Sequence, residues 1–268
     1  MKEQLVPDEL WERMAPLLPR RRPHRKGGRP WADDRAAPRG ILFVLKTGIA
    51  WRDLPAEVFG VSGVTCWRRL EQWTRIGVFR RLQEQLLDEL GMKGRIDWSR
   101  AAFDSGSVRA KKGGPETGKN PTDRGKKGSK HHVLTDRKGS PLAVLLSAAN
   151  VHDKKRALPL VDAVPPVHTG RRGRPRKRPK KAHAGKGYDF KDIRQGLRAR
   201  HITPRIARRG IESSERLGRH RWVVERTLAW LHSFKRLRVR EERRADLHLA
   251  LLQLGCSIVL LRRVGRRL

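Results

Sequence analysis

The hydrophobic period changes once along this chain, close to Asp97, and that change limits the folds open to it. Before it, apolar residues recur at helical spacing: Leu10, Trp11, Met14 and Leu17 first, then Trp67, Leu70 and Trp73. After it, short strand-like runs alternate with helical ones. Residues 101–103 and 130–135 read as strands, Asp136-Arg137-Lys138-Gly139 as a hairpin turn, and residues 142–146 as a third strand. A helix opening at Asn150 or His152 runs to Val161. Beyond a Pro/Arg-rich linker come a strand at 181–184, a helix at 189–200 and a strand at 202–206. Helices at 217–234 and 246–264 close the chain. The pattern predicts an α/β fold, a mixed sheet flanked by helices, behind an all-helical N-terminal region. The expected boundaries are 1–92 for the helical domain and 97–268 for the α/β domain. There is no internal repeat.

Pro7 and Asp8 open the first helix, which runs through Leu18 unless Pro16 kinks or ends it. Residues 20–29 are basic and rich in Pro and Gly, as in a linker or arm. Residues 40–46 form a second helix stopped by Gly48. Ser62 caps a third, with Trp67, Leu70 and Trp73 inward and Arg68, Arg69 and Arg75 outward. Two short helices, the second carrying exposed arginines, fit a helix-turn-helix-like DNA reader. A plain bundle with a solvated face fits as well, because the connection at 51–60 is longer than a tight turn.

Lys and Arg total 63 against 27 Asp and Glu, a formal charge of +36 on 268 residues. Such self-repulsion calls for a polyanion, and DNA or RNA is the natural one, since basic side chains gain by releasing the counterions condensed on phosphates. Arg172-Gly173-Arg174-Pro175 resembles a minor-groove hook. Short matches of this kind are common in arginine-rich linkers, so phosphate contact by Arg172 and Arg174 is the better reading. Residues 113–129 read as a mobile, DNA-facing loop, with Lys126, Lys127 and Lys130 placed to hold backbone. Cys66 and Cys256 lie far apart and match no metal spacing, which suits a reducing cytosol. His131 and His132, adjacent in a strand, face opposite sides and make no joint metal site. The apolar stretch 247–261 is shorter than a bilayer span and is broken by His248, Gln253 and Gly255. It reads as a buried helix. With no secretory signal pattern, the expected location is cytoplasmic, at the nucleoid and off the membrane.

Seven motifs in order identify a resemblance that runs nearly end to end. They are Trp51-Arg52-Asp53-Leu54-Pro55, Thr65-Cys66-Trp67-Arg68-Arg69-Leu70, Asp104-Ser105-Gly106-Ser107-Val108, Lys130-His131-His132, Ala149-Asn150-Val151-His152-Asp153, Lys186-Gly187-Tyr188-Asp189, and the stretch from Arg221 to Glu225. The chain resembles bacterial insertion-sequence transposases of the DDE class, in the insertion-sequence-five group. The resemblance implies a helical DNA-binding domain and an RNase H-like catalytic domain. It also implies cleavage at terminal inverted repeats, joining of the freed ends to target DNA, two Mg²⁺ ions, and a homo-oligomer assembled on DNA. A basic RNA-binding protein of the ribosomal type fits neither the size nor the ordered motifs.

In-line displacement at a phosphodiester is helped by two metals about 3.5–4 Å apart, and Mg²⁺ takes hard oxygen ligands. Asp104, ending its apolar run, and Glu225, on a helix, are the implied catalytic metal ligands. Arg221, one turn from Glu225, is placed to hold that carboxylate or a phosphate, and His232 shares their side of the helix. The family's middle aspartate falls at Gly185, which has no side chain to offer. Asp189, four residues on, is not the family's metal residue. The copy is therefore expected to cleave poorly. The alternative reading is a non-catalytic relic that still occupies the element's ends.

Overall fold

The computed structural model describes residues 6–20, 32–211, 218 and 220–265. Most of the basic arm at 20–29 and the expected helix start at Leu217 lie outside these residues.

Among its described residues, the N-terminal region is built of helices joined by turns and contains no strand. Helix α1 (Asp8–Met14) ends early, as Pro16 allows, and finishes as a 3-10 turn over Ala15–Leu17. Helix α2 (Ala36–Thr47) starts before the apolar run that announced it and stops at Gly48, whose φ of 73° supplies the left-handed cap. After the short α3 (Ala56–Phe59), Ser62 caps α4 (Gly63–Arg75), its Oγ accepting the Thr65 N–H at 3.3 Å. Leu70 and Trp73 are buried, Trp67 is partly so, Arg68 and Arg75 are exposed, and Arg69 is half-buried. Helix α5 (Val78–Met92) adds Phe79, Leu82, Leu86 and Leu87 to the same core.

The long α2–α4 connection is fixed by a close approach. A Cβ at Gly63 would stand 1.6 Å from the Trp51 carbonyl oxygen. Alanine is favoured over glycine inside a helix by up to ~1 kcal/mol. Overpacking a tight site costs about 1–3 kcal/mol. The clash should win, so Gly63→Ala is expected to lower the midpoint of chemical unfolding. A midpoint at or above that of the parent would show that the connection yields freely.

The second region is one mixed sheet. Strand β1 (Ala101–Ala110) pairs antiparallel with β3 (Lys127–Asp136), and β3 pairs antiparallel with β4 (Pro141–Ala148). On its other side β1 runs parallel to β5 (Lys181–Ala184), which runs parallel to β6 (Thr203–Ile206). The order β4-β3-β1-β5-β6, three antiparallel strands continued by two parallel ones, is the RNase H-like arrangement. Two short strands extend it: β2 (Gly118–Lys119) on β3 and β7 (Val239–Arg240) on β1. The flanking helices are α6 (Lys154–Asp162), α7 (Lys191–Ala199), α8 (Trp222–Ser233), the short α9 (Lys235–Arg238) and α10 (Ala245–Val264).

Three expectations need correction. Asp104 does not end its strand. The antiparallel ladder carries β1 on through Ser105↔His132 to Arg109↔Gly128, because polar and glycine positions on both strands still pair backbone to backbone. The segment 113–129 is not a free loop, since β2 pairs with the start of β3 and the buried Asn120 Oδ1 accepts from the Thr122 N–H and hydroxyl. Helix α10, with 20 residues, is long and apolar enough to span a bilayer by length and composition. Two-thirds of that stretch is nonetheless buried inside the protein. It packs against both α5 and β4, so the helical region and the sheet share one continuous core.

The hairpin stands as expected. Asp136 accepts backbone N–H bonds from Asp97, Lys138 and Ser140. These fix the turn even though burial pushes its carboxyl above the usual range.

Candidate active site: two carboxylates bridged by an arginine

Parallel pairing of β1 and β5 sets Ala102 opposite His183. Two residues further along β1 stands Asp104, and just past the end of β5 comes Gly185. Helix α8 crosses this place with Arg221 at its N-cap and Glu225 one turn later. One guanidinium nitrogen, Nη2 of Arg221, donates to Asp104 Oδ2 at 3.0 Å and to Glu225 Oε1 at 3.2 Å. The other Asp104 oxygen accepts the Ser105 N–H at 2.9 Å. The Asp104 and Arg221 side chains are 22% and 21% exposed, against 53% for Glu225. The inner ion pair is thus shielded, while Glu225 reaches toward solvent.

Gly185 completes the cluster by what it omits. Its backbone is ordinary extended chain, φ −75° and ψ 174°, open to any residue. A Cβ there would meet Nη1, Cζ and Nη2 of Arg221 at 3.0, 3.1 and 3.3 Å. The guanidinium therefore lies against the face of Gly185 as well as between the two acids.

Other candidates are placed elsewhere. Asp189 is clamped by Arg194, whose Nε and Nη2 reach its Oδ1 at 3.0 and 2.7 Å, while its Oδ2 accepts the Arg209 N–H. Those hydrogen bonds hold its carboxyl below the usual range. Lys130 points its ammonium to Asp153 at 2.9 Å and to the Val151 carbonyl, which leaves it committed inside the fold. His131 and His132 do face opposite ways. His132 shares a hydrogen bond with Ser147 Oγ at 2.8 Å, and burial pushes its imidazole down to about 4. Lys126, Lys127, Arg68, Arg172 and Arg174 are exposed, and Arg69 donates to Gln72.

One feature was not legible in the sequence. At the C-terminal ends of the parallel strands β5 and β6 opens a cleft of about 400 Å³, lined by His183, Arg194, Arg205, Arg208, His220 and Arg221. Strand ends of this kind are where parallel sheets receive ligands. The His183 ring lies 5.0 Å from that of His220, and burial pushes it down to about 4. The only hint in the sequence was the density of cations around residues 205–209.

Among the described residues, no group of three or more His, Cys, Asp or Glu side chains could hold a metal ion. Two carboxylates that share one guanidinium offer too few hard oxygens for a pair of divalent cations. The residues present do not fit a two-metal centre.

Comparison with known proteins identifies the family of the chain. A family model described as a putative transposase of the IS4/5 family matches residues 6–83, and one described as a transposase DDE domain matches residues 98–260. A putative transposase for insertion sequence element IS402 of Burkholderia cepacia is 55% identical over 147 residues, 55% of this chain and 69% of that protein. An uncharacterised 16.2 kDa protein of the same element is 52% identical over 123 residues, 45% of this chain and 84% of that protein. Among solved structures, a pre-cleavage Mos1 transpososome aligns at 12% identity and a TM-score of 0.28, covering 93% of this chain and 83% of that one. The Mos1 strand transfer complex aligns at 13% and 0.29, covering 92% and 82%. Likenesses this slight add nothing to the strand order itself.

Proposed function

This chain belongs to the DDE-class insertion-sequence transposases, and from that premise we propose that it binds the terminal inverted repeats of its element as a homo-oligomer on double-stranded DNA but cleaves them poorly. The helical region at 1–92 serves as the DNA-binding domain and the region at 97–268 as the catalytic one. Asp104 and Glu225 are the carboxylates that remain of the site. Divalent metal use belongs to the family, and in this copy the set for two Mg²⁺ ions lacks its middle member. Exposed Arg68, Lys126, Lys127, Arg172 and Arg174 supply phosphate contacts, which position DNA without reading sequence. The protein works in the cytoplasm, at the nucleoid.

The observation that carries the impaired reading is the Arg221 guanidinium seated between Asp104 and Glu225 and against Gly185. The same geometry favours the second reading, a relic that occupies element ends without cutting them, because the basic surfaces do not depend on the carboxylates. The test uses the parent protein on labelled duplexes carrying the element's ends. Binding should persist in EDTA, and added Mg²⁺ should produce little nicking. Efficient Mg²⁺-dependent cleavage by the parent would overturn the impairment.

A further inference from the structure

Three imidazoles stand in series between the carboxylate side of the sheet and a buried glutamate. His232 on α8 places its Nε2 3.3 Å from Nδ1 of His131 on β3. His131 places its Nε2 2.8 Å from Nε2 of His248 on α10. The Nδ1 of His248 lies 3.4 Å from Oε2 of Glu242, whose other oxygen is held by Arg236 Nε at 2.7 Å. Arg236 in turn donates to the Gly48 and Ile49 carbonyls behind α2. His131, His248 and Glu242 are all buried.

The carboxylate sets the direction of the whole string. Burial alone would raise the Glu242 carboxyl, but the bond from His248 and the charge of Arg236 hold it below the usual range, so it stays ionised and only accepts. His248 must then carry its proton on Nδ1 and accept at Nε2. A neutral imidazole has one N–H, so His131 donates from Nε2 and accepts at Nδ1, and His232 donates from Nε2. Every contact is satisfied, and the one lone pair left over is Nδ1 of His232.

That end lies on the site's side of the fold. His232 is seven residues, about two turns, beyond Glu225 on one helix face. Its Cε1 lies 3.0 Å from where a Cβ at Gly106 would be, and Gly106 shares a strand face with Asp104. The charged groups around the string are Arg236, Arg240 and Glu242 at His248, Arg240 and the neighbouring His132 at His131, and Arg238 at His232. Three guanidiniums against one carboxylate, with burial the leading cause, hold all three imidazoles below their usual range and hence neutral at rest.

We propose that Glu242, His248 and His131 form a proton relay that positions His232 and lets it take up a proton at Nδ1 when a DNA phosphate comes against it. The inference rests on the DNA-binding reading above. One proton enters from water at Nδ1 of His232, which then donates to the phosphate. The Nε2 proton of His232 passes to Nδ1 of His131, and the Nε2 proton of His131 to Nε2 of His248. The added positive charge then rests on His248 beside Glu242, while His232 and His131 are left neutral with their protons on Nδ1 and His232 donates that proton to the phosphate.

Two measurements test this on the full-length chain. Long-range ¹H–¹⁵N spectra of the free protein near neutral pH should show the proton on Nε2 of His131 and His232 and on Nδ1 of His248. Any other tautomer overturns the relay, whether or not DNA binds. Calorimetry with a duplex of arbitrary sequence, in buffers of different ionisation enthalpy, should show uptake of about one proton, and affinity falling up to tenfold per pH unit between pH 6 and 8. Failure of the duplex to bind at all would instead remove the DNA-binding reading. His232→Lys, which puts a fixed charge at this largely buried position, should bind at least as tightly at pH 8 with the pH response gone, and Glu242→Gln should flatten that response. A full pH response surviving in His232→Lys assigns the proton to another histidine and ends the proposal.

Discussion

Gly185→Asp is expected to create Mg²⁺-dependent nicking of DNA carrying the matching inverted repeats, at least ~100-fold faster than the parent. A metal that stabilises transition-state charge is worth several kcal/mol, and each 1.36 kcal/mol is tenfold in rate. The position admits the change. Its φ and ψ are ordinary, and the atoms a Cβ would crowd are the far end of one flexible side chain, the Arg221 guanidinium. An introduced carboxylate would compete for that guanidinium and loosen its hold on Asp104 and Glu225. Adding Asp104→Ala to Gly185→Asp should abolish the gain, because one ligand cannot replace another. DNA affinity should change little in either variant. If the parent cleaves as fast as Gly185→Asp, Asp189 must supply the missing ligand, which would require it to break from both Arg194 and the Arg209 N–H.

The second large effect is in binding. Affinity for duplex DNA should fall roughly 10³–10⁵-fold between 50 and 200 mM salt, the loss expected for about 6–10 phosphate contacts. The net charge of +36 and the exposed cations at 68, 126, 127, 172 and 174 are the source. Anisotropy titrations in EDTA measure this without interference from metal. A flat salt response would mean that these cations do not meet phosphate. Arg172→Ala should lower affinity alike for A·T-rich and G·C-rich duplexes, since a groove reader would lose preferentially on the former.

Much of this molecule could be read from its residues, and the failures have common causes. Ser62 as a cap, Gly48 as a stop and the turn at Asp136 are local signals, each decided within four residues, and each stands. Strand length was misjudged because Ser105, Gly106 and Ser107 look like loop. They are strand because β3 lies alongside them, a fact no local window contains. That Asp104, Gly185 and Glu225 stand around one place is what the sheet order implied by the resemblance leads one to expect, but the seat of Arg221 among them is not. An arginine four residues before a glutamate announces a helix pair, and its second bond to Asp104 depends on how α8 crosses the sheet. Lys130 illustrates the same limit in reverse: a lysine in a basic run looks free until the fold brings Asp153 to it. The three relay histidines lie on β3, α8 and α10, and nothing in their spacing links them.

The seating of α10 also has a consequence for how the protein is made. About 150 residues separate the end of α5 from the start of α10. At ~5–20 residues per second of synthesis, α5 leaves the ribosome roughly eight to thirty seconds before its partner. The helix most like a membrane span is thus translated after the groove that receives it. The same arrangement ties the two regions together: a fragment that begins after residue 92 would keep the β4 contacts of α10 but leave its α5-facing side uncovered, an invitation to chaperones and proteases.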